Sequence, residues 1–295
     1  MNRFLFLLIF LVSAICSVEA QSRIDCSALD SRILHQKVHY CVALPDGYDR
    51  AVTAHGRGYP VLYFLHGLGD NEQSLFNTGG WNIVEDLRRQ HKIGNFLIVS
   101  PEGKQTFYIN SADGQTRYSD FFLREFMPFI EGKYLVRRDR AARGITGISM
   151  GGYGALRFAF AYPQLFSSVS AQSAALMTES PQELDRAIKS GAPLGRLLGS
   201  VFGRPINLPH WEANDPFVLA KRNRVALRKV ATYFNCGDQD GYGFDKGAKA
   251  LDRQLKAEGI PHEFHLYPGD HSLPYFLSHL GETMEFHWKA FEAAK

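Results

Sequence analysis

Short continuous apolar runs alternate with stretches of helical periodicity along most of the chain. Residues 61–65 form one such run, ending at His66-Gly67, as a buried strand does. Residues 96–99 form a second, stopped by Pro101, and 144–148, 166–171, 230–236 and 263–267 read as further short strands. Between them, apolar residues at 121, 122, 126, 129, 130 and 134 share one helical face over 120–135. Residues 151–162, rich in Ala and Gly, read as a helix ended by Pro163; 244–258 and 273–293 read as two more. Upstream, 26–33 and 37–44 read as a hairpin. Strands alternating with helices predict an α/β fold, a mostly parallel central sheet covered on both faces. One stretch breaks the rhythm. Between Ala175 and Pro216, frequent Gly and Pro predict an irregular insertion with short helices, a rim over the strand ends.

The N-terminus stands outside this pattern. Asn2-Arg3 precedes a 13-residue stretch, 4–16, in which Ser13 is the sole polar residue, and Val18-Glu19-Ala20 follows. That is the layout of a secretory leader, too short for a membrane span of about 20 apolar residues. The expected organisation is a signal peptide over 1–20 and a single domain over 21–295, exported, with no stable membrane anchor. Export permits a disulfide, and Cys26 and Cys41, flanking the hairpin, are the candidate pair. Cys236, inside an apolar run, reads as a buried small hydrophobe.

Composition adds mainly exclusions. The 295 residues are 45% hydrophobic and 21% charged, with a net charge of +3, which suits a globular protein and gives no basic face for nucleic acid. Arg137, Arg138, Arg140 and Arg143 read as the solvated end of a helix. Oligomeric state is not encoded in any of these features.

Gly147-Ile148-Ser149-Met150-Gly151 matches G-x-S-x-G. The pattern alone is weak, but here a short β run leads in and a Gly- and Ala-rich helix leads out, the setting of a nucleophile elbow. The small residues 147, 151 and 152 suit so sharp a turn, and Ser149 is the candidate nucleophile. A serine hydroxyl needs a base, and the base an orienting acid, in the chain order Ser, acid, His. His271, in the loop directly after the last strand, is the candidate base. The loop after the preceding strand offers Asp238 and Asp240, which qualify equally on position. An oxyanion hole needs two backbone N–H groups; Met150 and Leu68, the latter in Gly67-Leu68-Gly69, are the candidates.

Together His66-Gly67-Leu68-Gly69, Gly80-Trp81, the string from Gly147 to Ala155 and Pro268-Gly269-x-His271 resemble the Putative esterase family of α/β-hydrolases. That family includes feruloyl and acetylxylan esterases, S-formylglutathione hydrolases and mycolyltransferases. The resemblance spans Ser31 to the C-terminus and implies the α/β-hydrolase fold. It also implies a Gly-x-x-Asp turn, Gly237 to Asp240, which favours Asp240 as the acid, and Leu68 and Met150 as oxyanion donors. It implies a serine esterase acting on a small-molecule or carbohydrate-linked ester with no metal or organic cofactor. His66 and Trp81, in the matching segments, and Tyr108, in the loop after the second core strand with Asn110, are candidates for touching substrate. An acyltransferase, with a sugar hydroxyl replacing water, and an inactive binding protein on the same fold are the alternatives.

Overall fold

A computed structural model describes residues 22–54, 56–191 and 193–293; the expected leader lies outside the described residues. The strands are β1 (Arg23–Ser31), β2 (Gln36–Leu44), β3 (Val61–Leu65), β4 (Leu97–Pro101), β5 (Arg143–Gly147), β6 (Ser168–Gln172), β7 (Ala231–Gly237) and β8 (Glu263–Tyr267). They form one sheet in the order β1-β2-β4-β3-β5-β6-β7-β8. The β1–β2 and β2–β4 pairs are antiparallel, and every pair from β4 to β8 is parallel. The expected parallel strands are all present, their ends within two residues of the apolar runs.

The two-residue period of a strand sends successive side chains to opposite faces, and in the central strands β3 to β7 both faces are buried. Val61, Tyr63 and Leu65 join Leu97, Val99 and Ile145 in a core with the Met150–Ala161 and Phe244–Ala257 helices. Leu62, Phe64 and Ile98 face the other way, onto the Gly80–Arg89 and Leu280–Ala293 helices. The β1–β2 register sets Cys26 opposite Cys41, and the two are disulfide-bonded. Cys236 is free and buried, as its apolar run implies.

Several expectations need correction. The 120–135 stretch is not one regular helix: Tyr118–Phe121 leads into a wider π-type turn, Phe122–Phe126, and then Met127–Lys133. Pro128 has no N–H to offer the carbonyl of Arg124, so the ladder shifts register, and Phe121, Phe122 and Phe126 all become buried. The C-terminal helix is two, Leu273–Ser278 and Leu280–Ala293, because the chain turns at His279, whose ring stacks on Tyr267. Apolar periodicity does not register such a change of axis.

The arginine run is no solvated helix end. Arg143 pairs with Glu131 at 2.5 Å, Arg138 donates to the Glu131 carbonyl, and Arg140 donates to the carbonyls of Pro163 and Lys229. Glu131 lies in the last turn of its helix, where carbonyls lack helical partners. The 175–216 insertion consists mainly of the helices Pro181–Lys189, Pro193–Phe202 and Leu208–Asn214.

His287 is fully buried between Ser168 and Ser170, whose hydroxyls lie 2.8 Å from its two ring nitrogens. Burial pushes its pKa down to about 3 from the ordinary 6.5. Below pH ~6.5 the unfolded chain takes up a proton there that the native protein refuses, so folding stability falls with pH at about 1.4 kcal/mol per unit through that window. His287→Gln should flatten this component, read as the difference in unfolding free energy between pH 7 and pH 5; an equal pH dependence in both proteins would contradict it.

Candidate active site

The site is assembled at the C-terminal ends of the parallel strands, where open α/β sheets present their loops. Ser149 sits between β5 and the Met150–Ala161 helix with φ 55° and ψ −117°. A non-glycine residue there costs about 1–3 kcal/mol and persists only where its surroundings impose it. Here its N–H donates to Gln172 O at 2.9 Å, and its carbonyl accepts from Tyr153 and Ala175 N–H at 3.0 Å. The turn also demands glycine beside it. A Cβ on Gly151 would lie 1.9 Å from Leu65 O, and one on Gly147 would lie 2.3 Å from the Gly151 backbone.

Two loops bring the remaining groups to Ser149. Gly237 and Gly269 meet so closely that a Cβ on Gly237 would sit 2.4 Å from Gly269 O. The N–H of Gln239 donates to that same oxygen, and Asp238 accepts from Gly269 N–H at 3.1 Å. With the loops stitched in this way, His271 Nε2 lies 3.0 Å from Ser149 Oγ and Nδ1 lies 2.7 Å from Asp240 Oδ2. Asp238 therefore fastens the loops, while Asp240 touches the imidazole. Burial would raise the Asp240 carboxyl, but the hydrogen bond and charge of His271, the Tyr242 N–H and the Cys236 thiol outweigh it and hold it below the usual range. The same burial pushes the Cys236 thiol up to about 12, so it stays protonated, 3.6 Å from Asp240 Oδ2. An ionised Asp240 fixes the proton of His271 on Nδ1 and leaves Nε2 free to accept from Ser149.

Ser149 and His271 open onto a cavity of about 230 Å³. Leu68 and Met150 line it, and Met150 opens its helix, so its N–H has no acceptor within the helix. The rest of the wall is largely aromatic: Phe107, Tyr242, Phe244 and Phe276. Tyr242, Phe244 and Phe276 each meet the His271 ring edge-on. Sequence reasoning missed these four. The available signal was adjacency, since Tyr242 and Phe244 follow the acid, Phe276 follows the base, and Phe107 precedes a residue already singled out. Of the insertion, Ala175 alone reaches this cavity among its described lining.

The substrate-contact candidates do not gather there. Tyr108 is buried, its hydroxyl donating to His66 O at 2.9 Å and its ring packed where a Cβ on Gly103 or Gly154 would intrude. Positive φ at Phe107 and Tyr108 turns the loop so that Phe107, not Tyr108, lines the cavity. Asn110 instead accepts the Asp120 N–H. His66 is buried with both nitrogens engaged: Nε2 accepts from Gly103 N–H at 2.8 Å, so Nδ1 carries the proton and donates to Gly67 O. Burial lowers its pKa and keeps it neutral. It clamps the Leu68 loop. Trp81 packs on Phe76 and under Arg88, away from Ser149.

Residues 31–287 match the family described as Putative esterase. The chain belongs to the Putative esterase family. It is 29% identical over 245 residues to an esterase of Mycobacterium tuberculosis, covering 78% of this chain and 51% of that protein. The chain thus spans about half the length of that relative. It is 26% identical over 228 residues to an acetyl esterase of Caldicellulosiruptor saccharolyticus, covering 77% of this chain and 82% of that one. Among solved structures it resembles a ferulic acid esterase with a TM-score of 0.75 at 26% identity, over 92% of this chain and 99% of the other. An S-formylglutathione hydrolase from Agrobacterium tumefaciens gives 0.73 at 17% identity, over 92% and 96%. The fold is that of the α/β-hydrolases.

Tyr108→Phe should lower stability by about 1–3 kcal/mol, because it leaves the buried His66 carbonyl without its donor. Denaturant unfolding reads this. Unchanged stability with an altered KM would instead mark Tyr108 as a substrate contact.

Proposed function

We propose that this chain is an exported serine esterase that hydrolyses carboxylic esters through an acyl-enzyme. The observation that carries the reading is the unbroken Ser149–His271–Asp240 chain, with contacts of 3.0 and 2.7 Å, at the mouth of a cavity lined by two candidate oxyanion donors. Ser149 Oγ attacks the ester carbonyl carbon and gives its proton to His271 Nε2. The carbonyl oxygen becomes an oxyanion held by the N–H groups of Leu68 and Met150. The intermediate collapses, the C–O bond to the alcohol breaks, and His271 returns the proton to the departing oxygen. Water then attacks the acyl-enzyme, again losing a proton to His271, which passes it to Ser149 as the acid leaves. Asp240 stays ionised throughout and stabilises the imidazolium.

Relatives named ferulic acid esterase and acetyl esterase favour an aromatic or short acyl group, and the aromatic wall of the cavity suits either. Export is supported by the leader-like residues 1–20 and by the Cys26–Cys41 disulfide, a bond that persists in oxidising compartments. Among the described residues no helix is long and apolar enough to cross a membrane.

The purified protein should hydrolyse p-nitrophenyl acetate and methyl ferulate, and Ser149→Ala should abolish turnover without unfolding it. Asp240→Asn should cost on the order of 10⁴-fold in kcat, by analogy with a protease triad, because the amide misorients His271. Asp238→Asn should cost far less; the reverse ranking would remove Asp240 from the mechanism. Expressed whole in a bacterium that secretes it, the protein should begin at Gln21 by N-terminal sequencing, whereas recovery of an intact Met1 in the exported fraction would contradict the leader.

A further inference from the structure

Beside the cavity over Ser149 lies a second, smaller one of about 50 Å³ between the Ser74–Asn77 and Leu273–Ser278 helices. The two share Gly67, Asp70, Ile148 and Phe276 as walls, so Asp70 stands where they join. A Cβ built on Gly67 would lie 3.2 Å from Asp70 Oδ2 and 3.7 Å from Ser149 Cβ. The carboxylate is therefore within about 7 Å of the reacting side chain. Among the described residues neither cavity is lined by a lysine or an arginine.

The surroundings do not offset this charge. Glu72 and Glu102 lie with Asp70 near the buried His66 just beneath the loop, and among the described ion pairs none involves these three carboxylates. The rim is apolar: Leu68, Tyr242 and Leu273 are 44%, 69% and 46% exposed around the two openings. An ester entering here meets an apolar surface carrying one uncompensated negative charge, in a cleft whose low-dielectric walls focus its field.

We propose that Asp70 is a specificity-determining residue that sets the charge preference of the site, disfavouring esters with an anionic group near the scissile bond and favouring neutral or cationic ones. The inference rests on the esterase reading above. A substrate charge held about 7 Å from the carboxylate in a partly wetted cleft would change transition-state binding by roughly five- to tenfold. Oppositely charged substrates should therefore diverge strongly.

The test uses three aryl acetates of similar shape: p-nitrophenyl acetate, anionic 4-acetoxybenzenesulfonate and cationic 4-acetoxy-N,N,N-trimethylanilinium. Each variant is compared with wild type on the same substrate, which cancels differences in leaving-group chemistry. Asp70→Asn should raise kcat/KM for the anionic ester relative to the cationic one by at least about tenfold, and Asp70→Lys by more. The effect should shrink in 0.5 M NaCl, as screening requires. A merely structural Asp70 would shift all three esters by the same factor. Equal factors in a working enzyme overturn the inference alone, whereas a wild-type protein inert on all three overturns the esterase reading and this inference with it.

Discussion

The close approach of the Ser149 elbow to the end of β3 is the constraint on which the site depends. The Gly151 backbone lies so near Leu65 O that no side chain fits between them, and Ser149 is held in a strained positive-φ conformation by hydrogen bonds to β6 and to the loop beyond it. Strain of this kind survives because two parallel strands and a helix fix the ends of the turn. The result is a hydroxyl raised above the sheet at the start of a helix, where the dipole favours developing negative charge. The same packing runs outward. Gly154, one turn along the helix, makes room for Tyr108, which supports the His66 carbonyl, and His66 in turn clamps the loop carrying Leu68.

Electrostatics divides the site into a sealed half and an open half. Asp240 and Cys236 are buried, and there His271 and the Tyr242 N–H keep a carboxylate charged despite its desolvation. Asp70 is exposed and has no such partners among the cavity-lining residues, so its field acts on whatever enters. One carboxylate serves the imidazole; the other faces the substrate. Burial and hydrogen bonding separate the two roles, since residue type does not.

What the sequence determined by itself was the periodic and the local. Short strand-like runs placed the parallel strands to within two residues, clearest in β3, where burial on both faces requires a continuously apolar sequence. Gly147 to Gly152 announced the elbow, because a strained turn tolerates few residue types. The hairpin paired Cys26 with Cys41, because register across a short connection is nearly fixed. Asp238 and Asp240 could not be separated on position, since both lie in the correct loop and differ only in where that loop is pinned. Tyr108 and Phe107 exchanged roles through two positive φ angles that apolar pattern does not encode. Arg138, Arg140 and Arg143 became fasteners because the groups they meet, on Glu131, Pro163 and Lys229, belong to other segments. Contacts that close across the fold depend on three-dimensional register, and only the tertiary structure sets it.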